Sequence, residues 1–215
     1  MKKVGIIGAS GMAGSAIYKL AAQNPRLELT GIVRDEDKAK KVLGDDAHLL
    51  IHDVLTIDNA KLADFDVLVD AFGTAPAQAE QQIELAKKLI SVARQSKARV
   101  IFILGAGSLK TGDDHHLFVE DIAKLPNSES WINTPKQQLK ELQYLQTIDD
   151  VDWLGISPSA NFTAGPATDY ILGNDELLKN KAGESKTNSG TMAEIVVSEI
   201  AEPVHHKQRI TVANK

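Results

Sequence analysis

Short apolar runs alternate with stretches of helical periodicity along almost the whole chain. Apolar runs bounded by glycine, proline or charged residues predict buried strands, and apolar residues that recur every three to four positions predict helices. A regular alternation of the two is typical of βαβ units. The sequence therefore predicts an α/β fold with a doubly wound parallel sheet and helices on both faces.

The pattern gives seven strands and seven helices, and it loosens in the C-terminal half. The predicted strands cover residues 3–8, 27–33, 49–54, 67–72, 99–104, 153–157 and 208–213. The predicted helices cover residues 13–21, 37–43, 57–63, 76–95, 117–125, 135–147 and 191–200. A hairpin is predicted around residues 170–172. We expect one domain over residues 1–215, with a small C-terminal substrate lobe mainly over 105–190.

Three glycines at a spacing of three residues follow the first predicted strand: Gly8, Gly11 and Gly14. Gly8 permits a tight turn out of the strand, Gly11 permits close approach to a pyrophosphate, and Gly14 permits close packing of the next helix. Free N–H groups at the start of that helix can then bind phosphate. In this context the glycines predict a dinucleotide-binding turn. The turn's other predicted contacts come from Ser10, Met12 and Ala13.

The end of the second predicted strand should lie at the adenosine ribose, about 20 residues beyond the glycine motif. Arg34 occupies this place, with Asp35 beside it. A guanidinium binds a 2′-phosphate in a bidentate fork, whereas a carboxylate accepts hydrogen bonds from a free 2′-hydroxyl. Because the arginine comes first, NADP(H) is favoured over NAD(H). The alternative is that both residues are solvated loop charges.

Other strand ends should complete the site, since ligands of such sheets lie beyond the carboxyl ends of the strands. Asp53 lies at the end of the third predicted strand, where it is placed to reach the adenine or, equally, to cap a turn or helix. Phe72 and Gly73 end the fourth predicted strand and should line the central part of the cofactor.

With these residues placed, the chain resembles the atypical short-chain dehydrogenase/reductases, in particular the NmrA-like branch and its group of NADH-flavin reductases. The resemblance covers essentially the whole length. It is carried by GASGMAG (8–14), VR (33–34), GAGS (105–108), SPSANFTAGP (157–166), GNDELL (173–178) and QRITVA (208–213). It implies a Rossmann-like sheet that binds NAD(P)H, with Gly105 and its turn near the nicotinamide and the loop 157–166 closing the substrate pocket.

The chain departs from the family pattern before its last helix. Family members usually carry a Ser-x-x-Asp-Tyr-Ala stretch there, whereas this chain reads TNSGTMA over 187–193. The role that the aspartate and tyrosine have in relatives is therefore in doubt here.

Classical short-chain dehydrogenases donate a proton from a tyrosine with a lysine four residues on, and none of the three tyrosines has that lysine. This absence counts against carbonyl reduction, in which the alkoxide needs an acid. It counts less against flavin or quinone reduction, which depends on stacking at the right distance. Ser108 is the best catalytic candidate, for orienting a substrate carbonyl, and a simple turn serine is the alternative. Asn161 and Phe162 are candidates for contact with the acceptor ring.

Composition and charge exclude several classes of function. The net charge of −5 and the lack of a basic block argue against a nucleic-acid partner. The absence of cysteine excludes disulfides and thiol catalysis. No run approaches the roughly 20 apolar residues that span a bilayer, and the start does not read as a secretory signal, so we expect a soluble, cytoplasmic protein without a membrane partner. The paired histidines lack ligand partners at zinc spacing, so no metal is expected.

The leading hypothesis is an NAD(P)H-dependent oxidoreductase that transfers hydride to a flavin, quinone or similar planar acceptor. The alternative is a non-catalytic NAD(P)-sensing regulatory module of the NmrA-like type. A sugar-nucleotide epimerase is disfavoured by the missing Tyr–Lys pair and the small substrate lobe. A homodimer is left open.

Overall fold

The structure, a computed structural model, describes residues 1–215 and is built on one mostly parallel eight-stranded sheet. The strands are β1 (Lys2–Ile7), β2 (Leu27–Val33), β3 (Leu49–Ile51), β4 (Val67–Asp70), β5 (Arg99–Ile103), β6 (Lys110–Thr111), β7 (His116–Leu117), β8 (Trp153–Pro158), β9 (Asn161–Thr163), β10 (Tyr170–Gly173), β11 (Lys186–Asn188) and β12 (Gln208–Asn214). The helices are α1 (Met12–Ala21), α2 (Glu36–Leu43), α3 (Asn59–Ala63), α4 (Glu80–Ser96), α5 (Phe118–Ala123), α6 (Asn133–Leu145) and α7 (Ser189–Ala201).

The order of strands across the large sheet is β10-β12-β8-β5-β4-β1-β2-β3. The chain first builds outward from β1 to β3 and then returns to place β4 on the other side of β1, where Ile7 pairs with Asp70. This reversal separates the loops that follow β1 and β4 and opens a crevice between them. The doubly wound Rossmann-like α/β fold predicted from the sequence is confirmed.

Helices cover both faces of the sheet. On one face α4 and α6 bury Leu89 and Leu145 against Phe102 of β5. On the other face α1 and α7 bury Ile17 and Met192. Because both faces are covered, the central strands read as continuous apolar runs rather than as alternating ones. Membrane crossing would need a longer and more apolar helix than any in this chain.

The predicted hairpin around residues 170–172 is wrong. β10 instead pairs antiparallel with β12 at the end of the chain, with Tyr170 opposite Asn214. The segments on either side cannot supply a local partner, because β9 and β11 pair with each other in parallel, with Asn161 opposite Lys186. The third strand is also shorter than predicted and ends at Ile51, just before a turn.

Two small sheets and α5 lie beyond the carboxyl ends of β5 and β8. In the hairpin formed by β6 and β7, His116 Nδ1 lies 2.6 Å from an Asp114 carboxylate oxygen. His116 Nε2 lies 2.9 Å from a carboxylate oxygen of Asp121, which belongs to α5. The protonated ring therefore ties the hairpin to that helix.

At the opposite, amino end of the sheet, Arg99 begins β5 with its side chain buried. Its guanidinium donates hydrogen bonds to Asp152 at 2.8 Å, to Glu199 at 2.9 Å and to the carbonyl of His205 at 2.7 Å. Asp152 lies just before β8, Glu199 lies on α7 and His205 lies just before β12. Arg99 thus joins the C-terminal elements at the end of the sheet away from the crevice.

Candidate dinucleotide-binding site

A cleft of about 390 Å³ lies beyond the carboxyl ends of β1, β2 and β4. It occupies the crevice that the reversal of strand order creates. Seven of the residues predicted to bind a cofactor line this cleft: Gly8, Ser10, Gly11, Met12, Arg34, Phe72 and Gly73. The structure therefore brings together groups from three strand ends that are far apart in the sequence.

The glycine turn is shaped by contacts that side chains would block. Gly8 has a φ of +71°, and a Cβ there would come within 2.5 Å of the Ala71 carbonyl oxygen. The N–H of Gly11 closes the turn by donating to the Gly8 carbonyl at 2.9 Å. A Cβ at Gly14 would overlap that same carbonyl. Gly14 therefore lets α1 pack against the turn itself.

The N-terminus of α1 faces this cleft without a protein acceptor of its own. Gly11 is the N-cap, no side chain caps the helix, and the first turn contains no acidic residue. The first N–H groups of a helix have no partner within the helix, and they lie at the positive end of its dipole. This end of α1 is therefore suited to an anionic ligand. The Ala13 side chain is buried and does not line the cleft.

Arg34 and Asp35 have separate roles at the end of β2. The Asp35 carboxylate caps α2 by accepting a hydrogen bond from the Lys38 N–H at 2.9 Å. Arg34 is exposed and lines the cleft, and it takes part in no ion pair or hydrogen bond with another side chain. Lys38 lines the same wall. Asp35 lines it as well, so this wall presents two positive side chains and one carboxylate that is engaged as a helix cap.

After β3 the cleft is lined by His52 and Val54, whereas the sequence pointed to Asp53, which lies between them in the chain. The Asp53 carboxylate accepts a hydrogen bond from the Leu55 N–H at 2.9 Å and holds a turn. The His52 ring is part of the cleft wall and contacts the Asp53 carbonyl through Nδ1 at 3.1 Å. Periodicity could not reveal His52, because residues 52 and 53 both lay within the predicted strand 49–54 and the pattern does not say which of them turns toward the cleft.

A second cleft, of about 510 Å³, lies further along the same edge of the sheet, beyond β5 and β8. Asn161 and Phe162, the residues predicted to contact the acceptor, line it together with Trp131. The other lining residues are Ala106, Gly107, Phe118, Ile122, Thr134, Pro135, Gln138 and Ala160. This cleft therefore combines three aromatic rings with small and amide side chains, and none of its lining residues is ionisable.

Ser108 points away from both clefts. Its side chain is buried, donates to the Gly105 carbonyl and accepts a hydrogen bond from Arg209 Nη1 at 3.1 Å. Arg209 is itself held by Asp175. Because its hydroxyl is engaged by the Gly105 carbonyl and Arg209, Ser108 stabilises the fold and is not placed to orient a substrate carbonyl, the catalytic role that we expected for it.

Gly105 lies between the two clefts but lines neither. A Cβ at this position would overlap the Gln138 side chain of α6. Its carbonyl accepts hydrogen bonds from the hydroxyls of Ser108 and Ser157. Gly105 therefore positions the turn after β5, and the nicotinamide contact implied by the resemblance stays a prediction.

None of the three tyrosines lines either cleft. Tyr18 is buried in the core, where its hydroxyl accepts a hydrogen bond from the His48 N–H, and burial raises the pKa of its phenol. Tyr144 lies beside Lys87, and Tyr170 is exposed on β10. No tyrosine is therefore placed to donate a proton to a bound substrate.

A model of the NAD(P)H-binding family matches residues 8–203. The chain belongs to this family. It is 35% identical over 216 residues to YwnB, an uncharacterized protein of Bacillus subtilis (strain 168), and covers 99% of both chains. These findings agree with the resemblance to atypical short-chain dehydrogenase/reductases that the sequence motifs carry.

Solved structures share the fold over the full length. A protein of Lactobacillus casei matches with 34% identity and a TM-score of 0.90, covering 99% of each chain. SP1627 of Streptococcus pneumoniae TIGR4, named a "putative NADH-flavin reductase", matches with 26% identity and a TM-score of 0.87, covering both chains completely. A third match is a protein of Bacteroides thetaiotaomicron named a "putative epimerase". It has 27% identity and a TM-score of 0.85, and the match covers 99% of this chain and 97% of the other.

The residues of the first cleft fit the nicotinamide dinucleotide of this family. The tight glycine turn and the uncapped start of α1 suit a pyrophosphate, which needs backbone N–H groups and no opposing carboxylate. The apolar wall that includes Phe72 suits the flat rings. A dinucleotide held there can extend along the sheet edge toward the second cleft.

Proposed function

We propose that this protein is an NAD(P)H-dependent reductase that passes hydride to a planar acceptor such as a flavin or quinone. The dinucleotide occupies the first cleft and the acceptor ring occupies the second. The cofactor supplies the hydride, and the protein supplies binding and orientation.

The composition of the second cleft carries this proposal. Trp131, Phe118 and Phe162 offer flat apolar faces, and aromatic stacking both binds a ring and sets its plane. Asn161 and Gln138 can donate hydrogen bonds to ring carbonyls. No acid lines the cleft to protonate an alkoxide, so an electron-poor ring that receives its proton from water suits the site better than a simple ketone.

Arg34 supports a preference for NADPH. A 2′-phosphate needs a cation at the end of β2, and Arg34 is exposed there without a carboxylate partner. Asp35 is engaged as a helix cap. Asp35 also lines the cleft, but one of its carboxylate oxygens is already occupied by this cap, whereas the Arg34 guanidinium has no side-chain partner.

The decisive experiment measures oxidation of NADPH and NADH by the purified protein with FMN, FAD, quinones and dyes as acceptors. We expect turnover, and we expect Phe162→Ala to raise the KM of the acceptor by about three- to tenfold through lost stacking. Tyr170→Ala removes an exposed aromatic ring outside both clefts and is the matched control. Cofactor binding without oxidation by any acceptor would overturn the reductase proposal.

That outcome would favour the second candidate, a non-catalytic module that senses the dinucleotide. The observation behind it is the same lack of ionisable groups in the second cleft. The lack also argues against an epimerase, which needs an acid and a base beside the sugar.

A further inference from the structure

Two buried carboxyl groups lie beneath the dinucleotide cleft without lining it. Asp70 ends β4, and Glu141 lies on the inner side of α6. Asp70 is 6% exposed and Glu141 is 5% exposed, and neither takes part in an ion pair. Burying two carboxylates without a cation partner costs free energy, so we expect at least one of them to be neutral.

A buried amide completes the cluster. Gln82 of α4 lines the same narrow crevice as Asp70 and Glu141, and its Oε1 is buried without a hydrogen-bond donor. The crevice has no room for a water molecule. A proton on one of the carboxyl groups would turn that group into a donor and supply the bond that the amide oxygen lacks.

The electrostatics agree with this geometry. Burial raises the pKa of Asp70 to about 7, although the hydrogen bond from the Phe72 N–H opposes this shift. Burial, followed by the charge of Asp70, raises the pKa of Glu141 well above its usual range. When two buried carboxyl groups repel each other in this way, the usual result is that one of them keeps its proton.

No charged group on the surrounding elements neutralises Asp70 or Glu141 by forming an ion pair with it. Glu80 and Glu84 of α4 are exposed, as is Lys140 of α6. Arg99, at the opposite end of β5, is engaged by Asp152 and Glu199.

Phe72 connects this cluster to the cleft. Its ring lines both the crevice and the dinucleotide cleft. Its backbone N–H donates to Asp70 Oδ1 at 3.0 Å, which fixes the chain as it leaves β4. A change of charge on Asp70 therefore acts directly on a wall of the cleft.

We propose that Asp70, Glu141 and Gln82 form a buried proton-binding site, and that its occupancy sets how tightly the adjoining cleft holds the anionic dinucleotide. The protonated pair keeps the crevice dry and the Phe72 wall in place. Loss of the proton adds a negative charge beneath the site of the pyrophosphate. Asp70 and Glu141 are positioning residues in this scheme, and the inference rests on the dinucleotide cleft of the proposed function.

The test is calorimetry of NADH binding between pH 6 and pH 8.5, in buffers of different ionisation enthalpy. NADH is the probe because it lacks a 2′-phosphate that would itself titrate. We expect affinity to fall by about fivefold over this range, from one added charge at moderate distance, with net proton uptake near pH 7. Asp70→Asn and Glu141→Gln should lose both the pH dependence and the uptake while keeping the tighter binding.

The control is His52→Asn, because His52 is the titratable ring inside the cleft itself. If His52→Asn abolishes the proton uptake and Glu141→Gln keeps it, the proposal is overturned. Carboxyl ¹³C shifts of the unsubstituted protein give an answer that needs no variant to fold. One carboxyl that titrates near or above pH 7 is expected, and titration of every carboxyl below about pH 5 would overturn the proposal. Because these readouts are binding and titration, a protein that binds NADH but reduces no acceptor fails the reductase proposal alone.

Discussion

The Asp35 carboxylate accepts a hydrogen bond from the Lys38 N–H at 2.9 Å, so of the two residues at the end of β2 that line the cleft, Asp35 is already engaged and Arg34 is not. Asp35 caps α2, whereas Arg34 lines the cleft without a hydrogen bond or ion pair to another side chain. If Arg34 were engaged by a protein group and the Asp35 carboxylate were free to bind the ribose 2′-hydroxyl, the site would favour NADH.

Replacement of Arg34 by alanine should weaken NADPH binding by about 10- to 100-fold, the effect of losing one or two charge-assisted hydrogen bonds. NADH affinity should change little. Titration of both cofactors into the variant measures the two effects. Arg26→Ala, which removes an exposed arginine before β2, is the control with the same change of charge. An equal loss for the two cofactors would remove Arg34 from the phosphate site.

Substitution of Gly14 by alanine should destabilise the fold by about 1–3 kcal/mol and weaken binding of both cofactors, because the new methyl group overlaps the Gly8 carbonyl. Denaturant unfolding measures the first effect and cofactor titration the second. Gly73→Ala adds the same methyl group where no heavy atom lies within 4 Å. Its stability should stay within about 0.5 kcal/mol of the original. Equal destabilisation by the two substitutions would contradict the close contact.

Ser108→Ala should leave kcat for a planar acceptor within about twofold and lower stability by about 1–3 kcal/mol, because Arg209 loses a buried acceptor. Steady-state kinetics and unfolding separate the two roles. Ser157→Ala removes another hydroxyl that accepts from Arg209, at 3.3 Å, and should behave alike. A large fall in kcat for Ser108→Ala alone would restore the catalytic role.

The His116 tether predicts a pH window for the small β6–β7 hairpin. Hydrogen bonds to Asp114 and then Asp121 raise the pKa of the ring above its usual 6.5, so its stabilisation is complete below pH 6.5 and is lost as the pH rises through the folded value. Hydrogen bonds from the ring lower the pKa of both carboxylates below 3.8. Their stabilisation is present above pH 3.8 and is lost as the pH falls through the folded values.

Protection factors for amide exchange in this hairpin should therefore be highest between about pH 4 and pH 6.5 and fall in more alkaline solution. His116→Asn should remove the alkaline fall. His115→Asn is the matched control, since that ring is exposed and lies 3.6 Å from Glu176. An alkaline fall that survives in His116→Asn would show that another group is responsible.

Those parts of the fold that depend on local periodicity were accessible from the sequence. The strands around Gly8 and Phe72 are buried on both faces and read as apolar runs, and the glycine spacing marks the turn between β1 and α1. The partner of β10 was not accessible, because antiparallel pairing with β12 is decided by where β9 and β11 lie in space. Local pattern carries no information about such distant pairing.

The same limit explains why some predicted site residues do not line either cleft. Asp53 and Ser108 are polar residues at or just beyond the ends of predicted strands, which made them reasonable site residues, but the structure turns their side chains to backbone or core partners. His52 was hidden by its place in a predicted strand. The Asp70–Glu141 pair joins a strand to a helix far along the chain, and its chemistry exists only once both are buried.

The Arg99 cluster has a consequence for how the chain folds. Its hydrogen bonds span separations of 53 to 107 residues and include partners next to the last strand. Contacts this distant carry a high cost in loop closure and form late. Interactions absent from the transition state act mainly on the rate of unfolding. The buried Arg99 at the amino end of the sheet should therefore slow unfolding and so set the lifetime of the native protein, while leaving the folding rate almost unchanged.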